Sequence, residues 1–157
     1  MEDVLRSLGY LCLGSRMKRL GEQLQADAQR LLDRLDPALQ AGYHPLLAAL
    51  DRLGPLTIGD LARALRISQP GVTRSVGRLV AQGLVAVRPA DDDQRQRIVA
   101  LTERGRTLVT AAKAELWPAI EAAVSDLCAG LSGPLLSQLA SIEDGLAAVS
   151  LAERAAR

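Results

Sequence analysis

Between residues 3 and 35, apolar side chains recur at Leu13, Met17, Leu20, Leu24, Ala28, Leu31 and Leu35, in steps of three and four, with Arg, Lys, Glu, Gln and Asp between them. That period lines one face of an α-helix, so a single long amphipathic helix is expected. Asp36-Pro37 and Ala41-Gly42 interrupt it, and residues 45–53 then form a short apolar helix stopped by Gly54-Pro55. Thr57 opens the next helix with Asp60 three positions on, the spacing of a capping box, and Ile58, Leu61, Ala62 and Leu65 make its inner face. A tight turn at Arg66-Ile67-Ser68 follows. Ser68 can cap a further helix, with Pro70 tolerated in its first turn and Val72, Val76, Leu79 and Val80 inward as far as Gly83.

The period then changes. Residues 84–88 and 97–101 are rich in Val and Ile and flank a polar stretch at 89–94, the pattern of a β-hairpin. Thr102 caps another long helix, with Leu108, Val109, Ala112, Leu116, Ile120, Val124 and Leu127 inward and Pro118 expected to kink it. Ser132-Gly133-Pro134 starts a last helix in which Leu135, Leu139, Ile142, Leu146 and Val149 keep a heptad rhythm. The order helix, turn, helix, hairpin predicts a mainly α fold with a small β-hairpin wing, a winged helix-turn-helix. Its flanking helices carry apolar stripes too long for the small winged part to cover, which points to a homodimer. The expected organisation is an N-terminal dimerisation helix (1–36), a winged helix-turn-helix DNA-binding region (37–102) and C-terminal dimerisation helices (103–157).

In such a unit the outward face of the second helix meets DNA. With Val72, Val76 and Leu79 inside, helical geometry leaves Gln69, Thr73, Arg74, Gly77 and Arg78 outside. Arginine can donate two parallel hydrogen bonds to guanine and glutamine can pair with adenine. Ser68 and Thr73 can bind phosphate, and Gly77 lets the helix approach closely. On an isolated helix the two arginines would read as a solvated face; preceded by a turn and followed by an arginine-bearing hairpin, they read as an interface. Charge is distributed to match. The net charge is only +1, but residues 57–102 carry 7 basic and 4 acidic side chains, against 7 and 7 in 1–56 and 5 and 7 in 103–157.

Composition narrows the partner. One Trp, two Tyr and no Phe leave almost no rings on which splayed bases could stack, so a nucleic-acid partner must be duplex DNA. Cys12, Cys128 and a lone His44 cannot supply a four-ligand zinc site, and neither metal nor cofactor is expected. Acids at Glu2 and Asp3, where a signal peptide would be basic, and the absence of a disulfide framework predict a reduced cytoplasmic protein. The longest uncharged stretch, 127–142, is broken by Gly130, Gly133 and Pro134, so no membrane span is expected. No nucleophile–base pairing, metal cluster or phosphate-cradling glycine loop stands out, so an enzyme is not expected.

The segment Gly54-Pro55-Leu56-Thr57-Ile58-Gly59-Asp60-Leu61-Ala62 is followed by Ile67-Ser68-Gln69-Pro70-Gly71-Val72-Thr73-Arg74-Ser75-Val76, Leu79 and Gly83-Leu84-Val85. Asp93-Gln94-Arg95 and Val99-Ala100-Leu101-Thr102-Glu103-Arg104-Gly105 come next. Together these resemble the multiple-antibiotic-resistance regulator (MarR) family of bacterial transcription factors. The family's Asp-x-Arg wing signature, with its arginine seven residues before the Leu-Thr threonine, is matched by Asp93 and Arg95 ahead of Thr102. The resemblance is strong over 54–105 and rests on layout alone outside it.

The resemblance implies a regulator, most simply a repressor, acting as a homodimer on a pseudo-palindromic operator. Its recognition helices would enter successive major grooves and Arg95 a flanking minor groove, with Asp93 bracing the wing. Arg97, two residues on and on the same strand face, could assist or be merely exposed. The acidic run Asp91-Asp92-Asp93 would weaken phosphate attraction at the wing tip. The resemblance also implies a small aromatic or phenolic effector, for which Tyr10, Arg16, Tyr43 and His44 are candidates, and it raises redox sensing through Cys12. The plain alternatives are a buried hydrophobe at Cys12, an exposed helix cap at His44 beside Pro45, and a packing role for Trp117 beside Pro118. A winged-helix dimer that binds protein rather than DNA remains open.

Overall fold

The structure is a computed structural model that describes residues 1–33, 39–89 and 97–149. The chain forms two compact units, 1–118 and 119–157. The first opens with a short helix α1 (Val4–Ser7), a 3-10 turn Gly9–Cys12 and the long helix α2 (Leu13–Leu32). The single helix expected from residue 3 is therefore broken. Gly9 adopts φ +57°, a left-handed conformation outside the helical region, and the chain restarts its helix at Leu13. Arg19 holds α1 to α2 through two hydrogen bonds to the Asp3 carboxylate, at 3.0 and 2.8 Å. At its other end, α2 grips the chain beyond it. The Gln29 amide donates to the Leu39 carbonyl (2.9 Å) and accepts from the Ala41 N–H (2.7 Å).

A 3-10 turn (Ala41–Tyr43) leads into α3 (His44–Leu53), then β1 (Leu56–Thr57), α4 (Ile58–Leu65) and α5 (Gln69–Ala81). Strands β2 (Val85–Pro89) and β3 (Arg97–Leu101) form the hairpin read from the sequence, antiparallel with Val85 opposite Leu101 and Pro89 opposite Arg97. β1 was not foreseen: two residues are too few for an alternation to show. It pairs with β3, giving a sheet of order β1-β3-β2.

The core of this unit gathers Leu39, Leu46, Leu47, Leu50, Leu61, Val72, Val76, Leu79, Leu84, Val85, Val99 and Val109, from α3, α4, α5, β2, β3 and α6 (Glu103–Ala111) and the segments between them. The inner stripes expected for the helices of the helix-turn-helix are those observed, except that Val80 is exposed. Thr102 ties hairpin to helix. Its hydroxyl accepts from the Gly105 N–H (3.0 Å) as an N-cap and donates to the Gly83 carbonyl (2.6 Å). α6 passes so close to the chain entering β2 that a Cβ on Gly105 would lie 2.0 Å from the Leu84 carbonyl oxygen, so only glycine fits there.

Ahead of Pro118 the helix widens into a π-turn (Ala112–Leu116) before α7 (Trp117–Cys128). A proline lacks the N–H that an α-helix would direct at the carbonyl four residues back, and the wider turn falls in that last stretch before it. In the second unit, α7 continues and α8 (Leu135–Ala148) follows, with apolar side chains left open at Val124, Leu127 and Leu136, the last 81% exposed. Among the described residues, no helix is long and apolar enough to cross a membrane.

Candidate nucleic-acid interface

The interface is built around two capped helices and the turn between them. Thr57 caps α4, accepting from the Asp60 N–H (3.0 Å) and donating to the Asp60 carboxylate (2.7 Å). This bond, then the guanidinium of Arg63, hold the Asp60 carboxyl below the usual carboxylate range. At the end of α4, Arg66 takes a left-handed conformation (φ +51°, ψ +40°), which turns the chain sharply. Ser68 then caps α5, its hydroxyl oxygen accepting from the Gly71 N–H at 3.3 Å, so its own O–H can donate outward.

Val72, Val76 and Leu79 are buried, and this fixes the rotation of α5. Gln69, Thr73, Arg74, Gly77 and Arg78 all lie on the exposed side, as helical geometry required. Among the described residues, neither Arg74 nor Arg78 enters an ion pair. Thr73 differs from the expectation in one respect. Its hydroxyl donates to the Gln69 carbonyl (2.9 Å), so it meets a phosphate only by giving up that bond. Arg97 is exposed at the start of β3. Asp93 and Arg95 lie outside the described residues. In the sequence Arg66 shows only as part of a turn; in the structure its side chain is exposed two residues before Ser68, and Arg88 is likewise exposed on β2. Basic residues bordering the turn and the hairpin were the available signal for both.

Of the residues suggested for an effector site, one lines a cavity. Tyr43 lines a cavity of about 280 Å³ with Gln40, Arg78, Ala81 and Gln82, whereas Tyr10, Arg16 and His44 do not line it. Tyr10 is 93% exposed on its 3-10 turn. His44 is no exposed cap: it is half-buried as the first residue of α3, and its Nδ1 accepts a 3.0 Å hydrogen bond from Trp117 Nε1. Sequence could not show this, because the partner is 73 positions away. Cys12 and Cys128 are both half-buried free thiols. No group of three or more metal-ligating side chains occurs among the described residues.

A capped outward helix after a tight turn, set against a three-stranded sheet with a hairpin, defines a winged helix-turn-helix protein. The resemblance to the MarR family is confirmed by that family's model, which matches residues 35–96, the stretch that holds α3 to α5 and the first wing strand. Over 64 residues the chain is 41% identical to the transcriptional activatory protein BadR of Rhodopseudomonas palustris, covering 39% of this chain and 37% of that one. Over 76 residues it is 37% identical to the HTH-type transcriptional repressor NicR of Pseudomonas putida, covering 48% of each. The matched region thus spans less than half the length of either relative.

Solved structures extend the likeness of fold over most of the chain. A cysteine-to-serine mutant of MarR from E. coli, complexed with operator DNA, superposes with a TM-score of 0.72 at 19% identity, covering 92% of this chain and 99% of that one. BpsR of Bordetella bronchiseptica, whose DNA binding is regulated by 6-hydroxynicotinic acid, gives 0.69 at 24% identity over 88% and 94%.

Proposed function

We propose that this chain is a transcriptional regulator that binds duplex DNA in a sequence-specific way, as a homodimer on a pseudo-palindromic operator, and acts as a repressor. The observation that carries the reading is α5. Its buried stripe and Ser68 cap fix it in one orientation, and Gln69, Arg74 and Arg78 project from the other side, with neither arginine held in an ion pair among the described residues. Those three side chains match the base edges of a major groove, while Ser68 and Arg66 suit the phosphates on either side. Arg95 is assigned to the minor groove, Asp93 to bracing the wing, and Arg97 to assisting it.

Regions 1–36 and 103–157 are assigned to dimerisation. In the single chain Met17, Leu20 and Leu24 are exposed along α2, and Leu127 and Leu136 are open in the second unit, apolar surface that a second copy would cover. The activity is regulatory rather than enzymatic, in the cytoplasm.

The cavity at Tyr43 supports control by a small planar acid. Arg78 supplies a counter-charge and Tyr43 a ring on the wall of this open depression. Because Arg78 also belongs to the recognition face, such a ligand would withdraw it from DNA.

The test is binding of the full chain to selected and random duplexes at several salt concentrations. A specific interface gives a preferred sequence and an affinity that falls as salt rises. Equal, salt-dependent binding to every duplex would leave only phosphate attraction, and no binding at low salt would favour a protein-interaction module.

A further inference from the structure

The pairing of His44 with Trp117 is not used by the DNA-binding reading. His44 opens α3, and Asp51, seven residues on, lies on the same face; Trp117 and Lys113 are four apart on the opposing segment. Two bonds therefore join α3 to residues 112–117 in antiparallel fashion. Trp117 Nε1 donates to His44 Nδ1 at 3.0 Å, and Lys113 Nζ donates to the Asp51 carboxylate at 2.9 Å. The two rings meet edge to face, with centroids 6.2 Å apart and planes at 79°. Buried Leu47, Ala112 and Leu116 lie along the same stretches.

The direction of the first bond sets the protonation state. An indole N–H can only donate, so Nδ1 must offer a lone pair and the single imidazole proton must sit on Nε2. That Nε2 is buried and has no hydrogen-bond partner among the described residues. The site thus accepts neutral imidazole and rejects imidazolium twice over. A second proton would go onto Nδ1, setting two donors face to face at 3.0 Å, and the resulting charge would have no buried acceptor at Nε2.

We propose that His44 and Trp117 form a proton-sensitive latch, closed when His44 is neutral and opened by its protonation, which fastens the first turn of α3 to the helical segment that runs into α7.

Burial lowers the pKa of His44 from its ordinary value. The charged groups on the elements packed against α3 are Asp60 and Arg63 on α4, Glu103, Arg104 and Arg106 on α6, Arg97 on β3, and Lys113 and Glu115 in the π-turn. On α3 itself they are Asp51 and Arg52. None of these contributes to the shift, for which burial is the cause. Because the folded value lies below the unfolded one, the latch is fully present at neutral pH and above. It is lost as pH falls past the ordinary histidine value of about 6.5 and through the depressed one.

The chain has a single His and a single Trp, so each gives one unambiguous NMR signature in the intact protein. The nitrogen-15 spectrum of the full chain is followed from pH 8 to pH 4.5, with far-UV dichroism to verify that the fold persists. Expected are an Nε2-protonated tautomer at neutral pH and an indole N–H resonance that shifts in step with imidazole titration, at a midpoint below the ordinary histidine range. In His44→Asn the indole step disappears. In Trp117→Phe the imidazole midpoint moves up toward its ordinary value, an outcome that does not depend on the first variant folding. A proton on Nδ1 at neutral pH, an indole resonance indifferent to His44 titration, or an unmoved midpoint in Trp117→Phe would each overturn the proposal. None of these readouts involves DNA, so the latch stands or falls separately from the proposed function.

Discussion

Arg78 belongs to two surfaces at once, the outward face of α5 and the wall of the cavity that also contains Tyr43. Its guanidinium is a flat fork, which lysine does not reproduce. Replacing Arg78 with Ala is expected to cost about 1–3 kcal/mol of binding to the preferred duplex and to relax preference at one base position. Arg78→Lys should restore the salt slope but not that preference. Quantitative band-shift titrations across single-base variants distinguish the two, and a uniform loss over all sequences would reassign Arg78 to phosphate. A different residue tests the packing behind the interface. Gly105→Ala places a methyl group against the Leu84 carbonyl, and the necessary displacement of α6 from the hairpin should cost about 1–3 kcal/mol in denaturant unfolding.

Within α5, Ser68 caps the helix and is proposed to meet phosphate, two roles that can be separated. Ser68→Ala removes the cap of α5 and should cost about 0.5–2 kcal/mol of stability. Ser68→Asp keeps the capping acceptor but presents an anion to phosphate; it should unfold like the native protein while losing DNA affinity. Thermal melts and binding on the same samples provide the comparison, and a parallel loss in both variants would mean that capping alone matters. Such caps were legible in the sequence because they depend on residues three apart: Thr57 with Asp60, Ser68 with Gly71, Thr102 with Gly105. The outward face of α5 was legible for a similar reason, since three buried positions on one helix determine the other side. The break at Gly9 was not, because a glycine is compatible with a helix and only its backbone conformation reveals the interruption. The burial of His44 was invisible too, because nothing local records a partner at Trp117. Likewise the cavity joins Gln40 and Tyr43 to the end of α5, and only the fold brings them together.

For the molecule as a whole, the exposed apolar side chains of α2 and of the second unit are the surface that the proposed homodimer would cover. Sedimentation equilibrium at micromolar concentration should give twice the chain mass of 16.7 kDa, and a folded monomer there would remove the homodimer from the account. Two-fold symmetry in the protein then imposes two-fold symmetry on its site, because each recognition helix must find the same edges in the same orientation. The most direct test is selection of bound fragments from a random duplex pool by the full chain. The predicted result is convergence on a pair of inverted half-sites centred about one helical turn, ~10 base pairs, apart, lost when Arg74 and Arg78 are both replaced by Ala. A pool that stays unenriched after repeated rounds at low salt, or an enrichment that survives the double replacement unchanged, would contradict recognition of DNA by α5.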